Sequence, residues 1–479
     1  MSSESKSLID KEWVYENYHG EKIFRIPDGF TEIGECAFMQ CENLTEVVFP
    51  ESLKRIDEWA FYNCPKLKDI SLPDNLQSIG REAFEQCQSL KSIYLPDSVA
   101  KIESGVFAEC KGLKKIRLSE KIKKIPPNAF TKCTSLERIE MSSSVLEIGY
   151  SAFAYCDSLK EINIKNVELI NDYAFSPCKA LKVVNSNNKL QRIGYKSFAF
   201  CESLKETDIS GSLIKIGYHA FSGCKELAIF DLPECLKKID APAFYGTRLM
   251  EDKMYLEVNN IIHEVNHSEI KQDTILRIPE GIHTIQPEVL DGLRARTIYF
   301  PKSLESYSGS VSCCHVWIEG NISAFDKYFF VEGRVFHFKA EGEVPYSILL
   351  EGSRLESNNE KALYDFLRKP SYEKFSEINN SDYKTSIAIA YGMSQNDEFK
   401  EYQKYLRRAG SKVMMKIIKD ENYDALNFYA EANVFTPKMY DAGIRYTIES
   451  ENHEAFIMLT QYKNIYKGYD KKTEARFDL

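Results

Sequence analysis

No window of this 479-residue chain approaches the roughly 20 consecutive apolar residues that a membrane-spanning helix needs, and no apolar leader precedes Trp13. Membrane insertion is therefore not expected. The missing leader points to the cytoplasm, with export by a non-classical route or display at the cell surface as the alternative. A basic excess is also missing: 62 Lys and Arg stand against 71 Asp and Glu, a net charge of -9. A dedicated nucleic-acid binder carries a basic face, so that class is excluded. The chain has no phosphate loop, no G-x-S-x-G and no C-x-x-C pair, and its eight His are scattered. Neither an enzyme nor a cofactor nor a metal centre is expected from such a set.

What is present is a phenylalanine that returns every 23 residues, at Phe38, Phe61, Phe84, Phe107, Phe130, Phe153, Phe175, Phe198, Phe221 and Phe244, with one step of 22 residues. A small residue precedes each Phe, and Cys and Leu follow three and six positions later through most of the run, as in Ala60, Phe61, Cys64 and Leu67. A fixed period of this size marks a stacked-repeat solenoid. Nine of the 13 Cys keep the register, which makes them reduced thiols packed in a core column. The C-x-x-C spacing of a tetrahedral sulfur site is missing. Cys313, Cys314 and His315 are adjacent, but neighbouring strand residues point to opposite faces and do not converge on one ion.

Within a repeat, Leu67, Ile70 and Leu72 predict a strand that Pro73 ends. Leu76 and Ile79 predict a second short strand, Gly80 a bend, and Ala83 to Cys87 a compact turn. Each coil exposes hydrogen-bonding edges and an apolar face, so coils stack at about 4.8 Å. Residues 1–33 read as an N-terminal cap carrying Trp13, Phe24 and Phe30, and 34–249 as the regular repeats. Residues 250–344 read as degenerate repeats with two inserted hairpins, one turning at Asn259 and Asn260 and one spanning Tyr328 to His337 with its turn at Glu332 and Gly333. Residues 345–479 change to helical spacing: Glu421, Asn422, Asp424, Ala425 and Leu426 are echoed 30 residues later by Glu451, Asn452, Glu454, Ala455 and Phe456. An earlier copy is expected at Asn396, Asp397 and Phe399. The aromatics Tyr402, Tyr405, Phe428, Tyr429, Phe435, Tyr440 and Tyr446 are expected in the core between helix pairs of ankyrin-like length.

The recurring word Leu-x-x-Ile-x-Leu-Pro, Leu-x-x-Ile-Gly, Ala-Phe-x-x-Cys resembles the BspA-like leucine-rich repeat family over roughly residues 22–310. The resemblance implies an α/β-type repeat solenoid, β-rich and right-handed, followed here by a small all-α helical-hairpin domain. It also implies no catalytic residues and a role in protein binding or adhesion. In such a strand the third and fifth positions face the concave side, and these columns are free to encode a partner. Tyr94, Lys115, Arg117 and Arg138 form a basic and aromatic centre there, continued by Glu140, Asn163, Asn185 and Asp208; Glu161, Glu206, Asp208 and Asp231 make an acidic end. A second column, Lys68, Lys91, Lys114, Lys160, Lys182 and Lys205, fits a solvated strand edge. The expected function is a monomeric, non-catalytic scaffold that binds a protein or peptide on the concave face. The alternative is an exported or surface-displayed adhesin.

Overall fold

The computed structural model describes residues 7–320 except 188, 208, 210, 252 and 288, then 322–325, 329, 335–338, 346–349, 358–393 and 399–465. They form two compact units, one ending at Asn266 and the other beginning at His267.

In the first unit every coil has three sides. The first side is a three-residue strand, as at Glu46–Val48, Ser92–Tyr94 and Arg138–Glu140, whose middle residue is buried while its neighbours face outward. Alternation of side chains along a strand makes that pattern obligatory. The second side is a two-residue strand ending in a buried Ile, as at Arg55–Ile56 and Ser78–Ile79. Both sides pair in parallel with register steps of one repeat, for instance Ile56 with Ile79 and Ile116 with Ile139. Gly80 is needed here for close approach of coils: a Cβ on it would lie 2.6 Å from the backbone of Asp57 and Glu58.

The third side carries the Phe ladder. Consecutive rings stack almost parallel, with centroids 5.0 Å apart between Phe38 and Phe61 and 5.2 Å between Phe61 and Phe84. Residues two before and two after the Phe adopt left-handed backbone, as at Trp59 and Asn63 (φ 53° and 52°) and Glu82 and Gln86 (φ 51° and 62°). Such non-glycine conformations cost about 1–2 kcal/mol each, and here they turn alternate N–H groups to one side. Trp59, Phe61 and Asn63 all donate to the next coil, to the carbonyls of Arg81, Ala83 and Glu85 at 3.0, 2.8 and 2.8 Å. The ladder is one-way, so the last coil is left with outward N–H groups.

Two features of the sequence acquire a physical role from this side. Eight of the nine register Cys thiols are buried, Cys41 of the first coil being half-buried, and the buried ones are also donors: Cys64, Cys87 and Cys133 give their Sγ–H to the carbonyls of Phe38, Phe61 and Phe107 at 3.1, 3.3 and 3.1 Å. Burial pushes the Cys87 thiol up to about 12, so it stays protonated. At the far end, strands Tyr255–Val258 and Ile261–Val265 pair antiparallel around Asn259 and Asn260, both left-handed, as the two-Asn turn predicts. That hairpin brings Glu264, 2% exposed, against the last coil, where its carboxylate accepts from Ala243 N at 2.9 Å and Phe244 N at 3.0 Å. A buried acid thus closes the one-way ladder. Burial raises its pKa to about 7, against the lowering pull of the two N–H groups.

At the other end, helix Lys11–Asn17 begins at Asp10, whose side chain accepts from Trp13 N at 2.8 Å. Trp13 packs edge-on against Phe24 and Phe30.

In the second unit, strands Ile275–Arg277, Thr297–Phe300, His315–Ile318 and Val335–Phe338 continue as parallel neighbours, and Tyr346–Leu349 closes the sheet antiparallel. Val335, Phe336 and His337 therefore stand in a coil strand; Tyr328 and the expected turn at Glu332 and Gly333 lie outside the described residues. Eight helices follow among the described residues, from Asn358–Arg368 to His453–Ile465. The 30-residue echo has a structural meaning: Glu421 and Glu451 are both left-handed, ending one helix, and Asn422 and Asn452 cap the next by accepting from Ala425 N and Ala455 N, each at 3.0 Å. Asn396 and Asp397 lie outside the described residues. Tyr402, Tyr429, Phe435 and Tyr440 are buried between helices, whereas Phe428 is exposed.

Candidate functional site

Strands Ser92–Tyr94, Lys115–Arg117 and Arg138–Glu140 form one parallel group whose outer face carries five of the eight residues read as partner-binding. Tyr94 is 58% exposed. The Arg117 guanidinium lies 4.6 Å from its ring centroid and 3.2 Å from the Asp97 carboxylate. Asp97 raises the Arg117 pKa further above its ordinary value, so the charge is permanent. Glu140 is the register partner of Arg117, yet the guanidinium turns to Asp97. Asn163 and Asn185 face each other in the next strand group, and Asn163 Oδ1 accepts from Lys165 N at 3.2 Å. Asp208 lies outside the described residues.

Lys115 pairs in register with Arg138, and neither makes an ion pair among the described residues. Lys114, the neighbour of Lys115, and Lys91, one coil before it, are exposed and equally unpaired. Like charges directly across a strand pair destabilise the sheet. The face therefore holds a cluster of cations without ion pairs among the described residues, bordered by Glu137, Glu140 and Glu161, on a chain of net charge -9.

Beside Tyr94 the structure opens a groove of about 600 Å³ that motif reading missed. Val48, Phe49, Ile70 and Leu72 make its floor, and Glu46, Glu51 and Asp74 stand on its rim. Phe49 also meets the core ladder edge-on, its ring centroid 5.8 Å from that of Phe61. No local motif announces this groove, because its walls come from the ends of separate strands. A row of partly exposed rings on the third side, Tyr150, Tyr173, Tyr195 and Tyr218, was missed as well; their centroids follow one another at 5.7, 5.1 and 6.0 Å.

The sequence also spells H-E-x-x-H once, at His263, Glu264 and His267. As a zinc site that string needs a helix, which sets both His on one face. Here residues 261–265 are a strand, Glu264 is consumed by the backbone of Ala243 and Phe244, and His267 Nε2 lies 3.3 Å from the Val289 carbonyl. Around Cys313 the partner of His315 is another His: His315 Nδ1 and His337 Nε2 are 3.0 Å apart. Burial and His315 depress the His337 pKa to about 4, and Cys314 is exposed. Among the described residues no three His, Cys, Asp or Glu gather to hold a metal ion, and no helix is long and apolar enough to cross a membrane.

The chain is similar to three solved bacterial structures. A leucine-rich repeat protein of T. pallidum is 30% identical over 29% of this chain and 64% of its own, under two thirds of its length, with a TM-score of 0.28. A leucine-rich repeat protein of Bacteroides ovatus is 25% identical over 66% of this chain and 83% of its own, with a TM-score of 0.42. A leucine-rich cell surface protein of Faecalibacterium prausnitzii is 23% identical over 67% and 88%, with a TM-score of 0.37. No curated protein matches. The model of the BspA type leucine-rich repeat region matches residues 11–110, 60–182, 147–270 and 191–315, well over half of the sequence and the same stretch in which the Phe ladder and both strand columns are built. The chain belongs to the BspA-type leucine-rich repeat family.

Proposed function

We propose that the protein is a non-catalytic interaction scaffold that binds a protein or peptide on the outer face of the three-residue strands, where an acidic group of the partner meets Lys115 and Arg138. The observation that carries this reading is the in-register Lys115 and Arg138 pair, neither of which makes an ion pair among the described residues. A stack of 23-residue words can place any side chain at these positions without disturbing its core, so a destabilising like-charge pair serves recognition rather than folding. Tyr94 and Arg117 adjoin it, and Tyr and Arg are the residue types that most often anchor interfaces. Asp97 holds Arg117 over the Tyr94 ring, which lowers the entropy lost on binding. Glu140, Asn163 and Asn185 supply a polar border, and Asp208 extends the same column.

One chain holds the whole face, so a monomer suffices. Free buried thiols fit a reducing compartment and support the cytoplasmic reading; a surface-displayed adhesin would instead be recovered in the surface fraction of the native cells. The helical hairpins, with their 30-residue echo, are read as ankyrin-like repeats that present a second surface.

The test is affinity capture from native cells with the parent and with Lys115→Glu/Arg138→Glu. The double reversal is expected to lower capture of the partner at least tenfold, while the thermal midpoint stays nearly unchanged, because it exchanges one exposed like-charge pair for another in the same register. Undiminished capture would sink the reading.

A further inference from the structure

The groove beside Tyr94 is a concave, apolar-floored space on the same strand face as the Lys115 and Arg138 pair, three coils before it. At about 600 Å³ it falls in the range of cavities that enclose a large side chain or short segment. Its floor of Val48, Phe49 and Leu72 offers contact to an apolar body. Its rim carries Glu46, Glu51 and Asp74, all exposed and without an ion pair among the described residues. An apolar floor under three free carboxylates matches one side-chain chemistry, a cation on a long aliphatic stem, which buries its methylenes and leaves its charge among the acids. Tyr94 forms the wall on the side of the basic patch and adds a ring face for a guanidinium.

Resting on the reading of Lys115 and Arg138 as the acid-binding pair, we infer that the groove takes a basic residue of the same partner segment. The ligand is thus an extended peptide with a cationic residue at one end and an acidic residue further along. The register sets the spacing. From the middle of the groove, between strands Glu46–Val48 and Asp69–Ser71, to the middle of the pair, between Lys115–Arg117 and Arg138–Glu140, is three coil steps, or about 14 Å at the usual strand separation. An extended chain covers that distance in about four residues. The groove and the pair thus select for order and spacing of charge, which neither does alone.

Fluorescence polarisation on the full chain tests this with three labelled peptides: one with arginine and leucine at one end and two glutamates four residues on, one with the basic end replaced by alanine, and one with the glutamates replaced by glutamine. The bipolar peptide is expected to bind at least tenfold more tightly than either single-ended one. Glu51→Gln/Asp74→Asn should lower its affinity about tenfold and leave the acidic-only peptide unchanged. Equal binding of bipolar and acidic-only peptides, indifference to the groove variant, or no binding by any of the three overturns the groove assignment. If the groove variant matters but Lys115→Glu/Arg138→Glu does not, the groove stands as a cation site and the acid-binding reading falls.

Discussion

Glu264 offers a stability change whose sign and size follow from one contact. Its carboxylate receives the Phe244 N–H, the end of a ladder that runs one way through the first unit, together with the adjacent Ala243 N–H, and it does so at 2% exposure. Burial raises its pKa from the ordinary 4.5 to about 7. In the folded chain the carboxyl keeps its proton up to about pH 7, whereas the unfolded chain releases it near 4.5, so between these values folding takes up a proton. The contribution is fully present below pH 4.5, falls through that window and is gone above pH 7. Each tenfold difference in proton affinity is worth about 1.4 kcal/mol, so the window spans about 3 kcal/mol. Glu264→Gln keeps a carbonyl acceptor for the ladder and cannot titrate. Urea unfolding of parent and variant across pH 4.5 to 8 should show the variant gaining on the parent by about 3 kcal/mol as pH rises, and the difference between the two curves cancels every other titrating group. Hydrogen exchange at the Phe244 amide reads the same change locally. A difference that is flat with pH, or that favours the parent as pH rises, would refute the role given to Glu264.

Two further outcomes test the coil itself. Phe130 is fully buried and stacked on both sides, with centroids 5.8 Å from Phe107 and 5.2 Å from Phe153; Phe130→Ala should cost about 4 kcal/mol in urea unfolding, and a loss under 1 kcal/mol would mean that the ladder is not the core. Cys133 donates its thiol to the Phe107 carbonyl at 3.1 Å; Cys133→Ala should cost about 1 kcal/mol beyond its lost volume and Cys133→Ser should recover that part, so equal losses from both would show that only packing matters.

The coil was legible because burial imposes period on sequence. Phe61, Cys64, Leu67 and Ile70 hold inward-facing positions that recur from coil to coil as Phe, Cys, Leu and mostly Ile or Val, because burial there admits few side chains. The hairpin at Asn259 and Asn260 was legible for a different reason: left-handed backbone at two successive residues favours Asn. The left-handed positions flanking each Phe gave no such signal. They are occupied by Trp59, Glu82, Gln86 and Phe200 as readily as by Gly105 or Gly223, since the stack holds the backbone whatever the side chain. The capping acid left a trace, a charged residue inside the run Ile261 to Val265, but its partners Ala243 and Phe244 lie 21 and 20 residues away and are backbone groups. In the candidate site the column of Tyr94, Lys115, Arg117 and Arg138 could be read from spacing, because parallel register fixes which residues adjoin. That Arg117 turns to Asp97 and away from Glu140 could not, since the choice is made by the turn after strand Ser92–Tyr94. The groove was hidden for the same reason: the residues between Val48 and Glu51 and between Ser71 and Asp74 shape it together, and their closeness belongs to the stack.

Lysine acylation footprinting of the full chain, with and without its captured partner, is the most direct test of the binding face. Lys91, Lys114 and Lys115 lie on or beside it and make no ion pair among the described residues, while Lys225, ion-paired with Glu202 on the turn side, serves as the internal reference. The account predicts that bound partner lowers labelling of Lys114 and Lys115 severalfold and leaves Lys225 unchanged. Protection of Lys225 with Lys115 still fully reactive would contradict it.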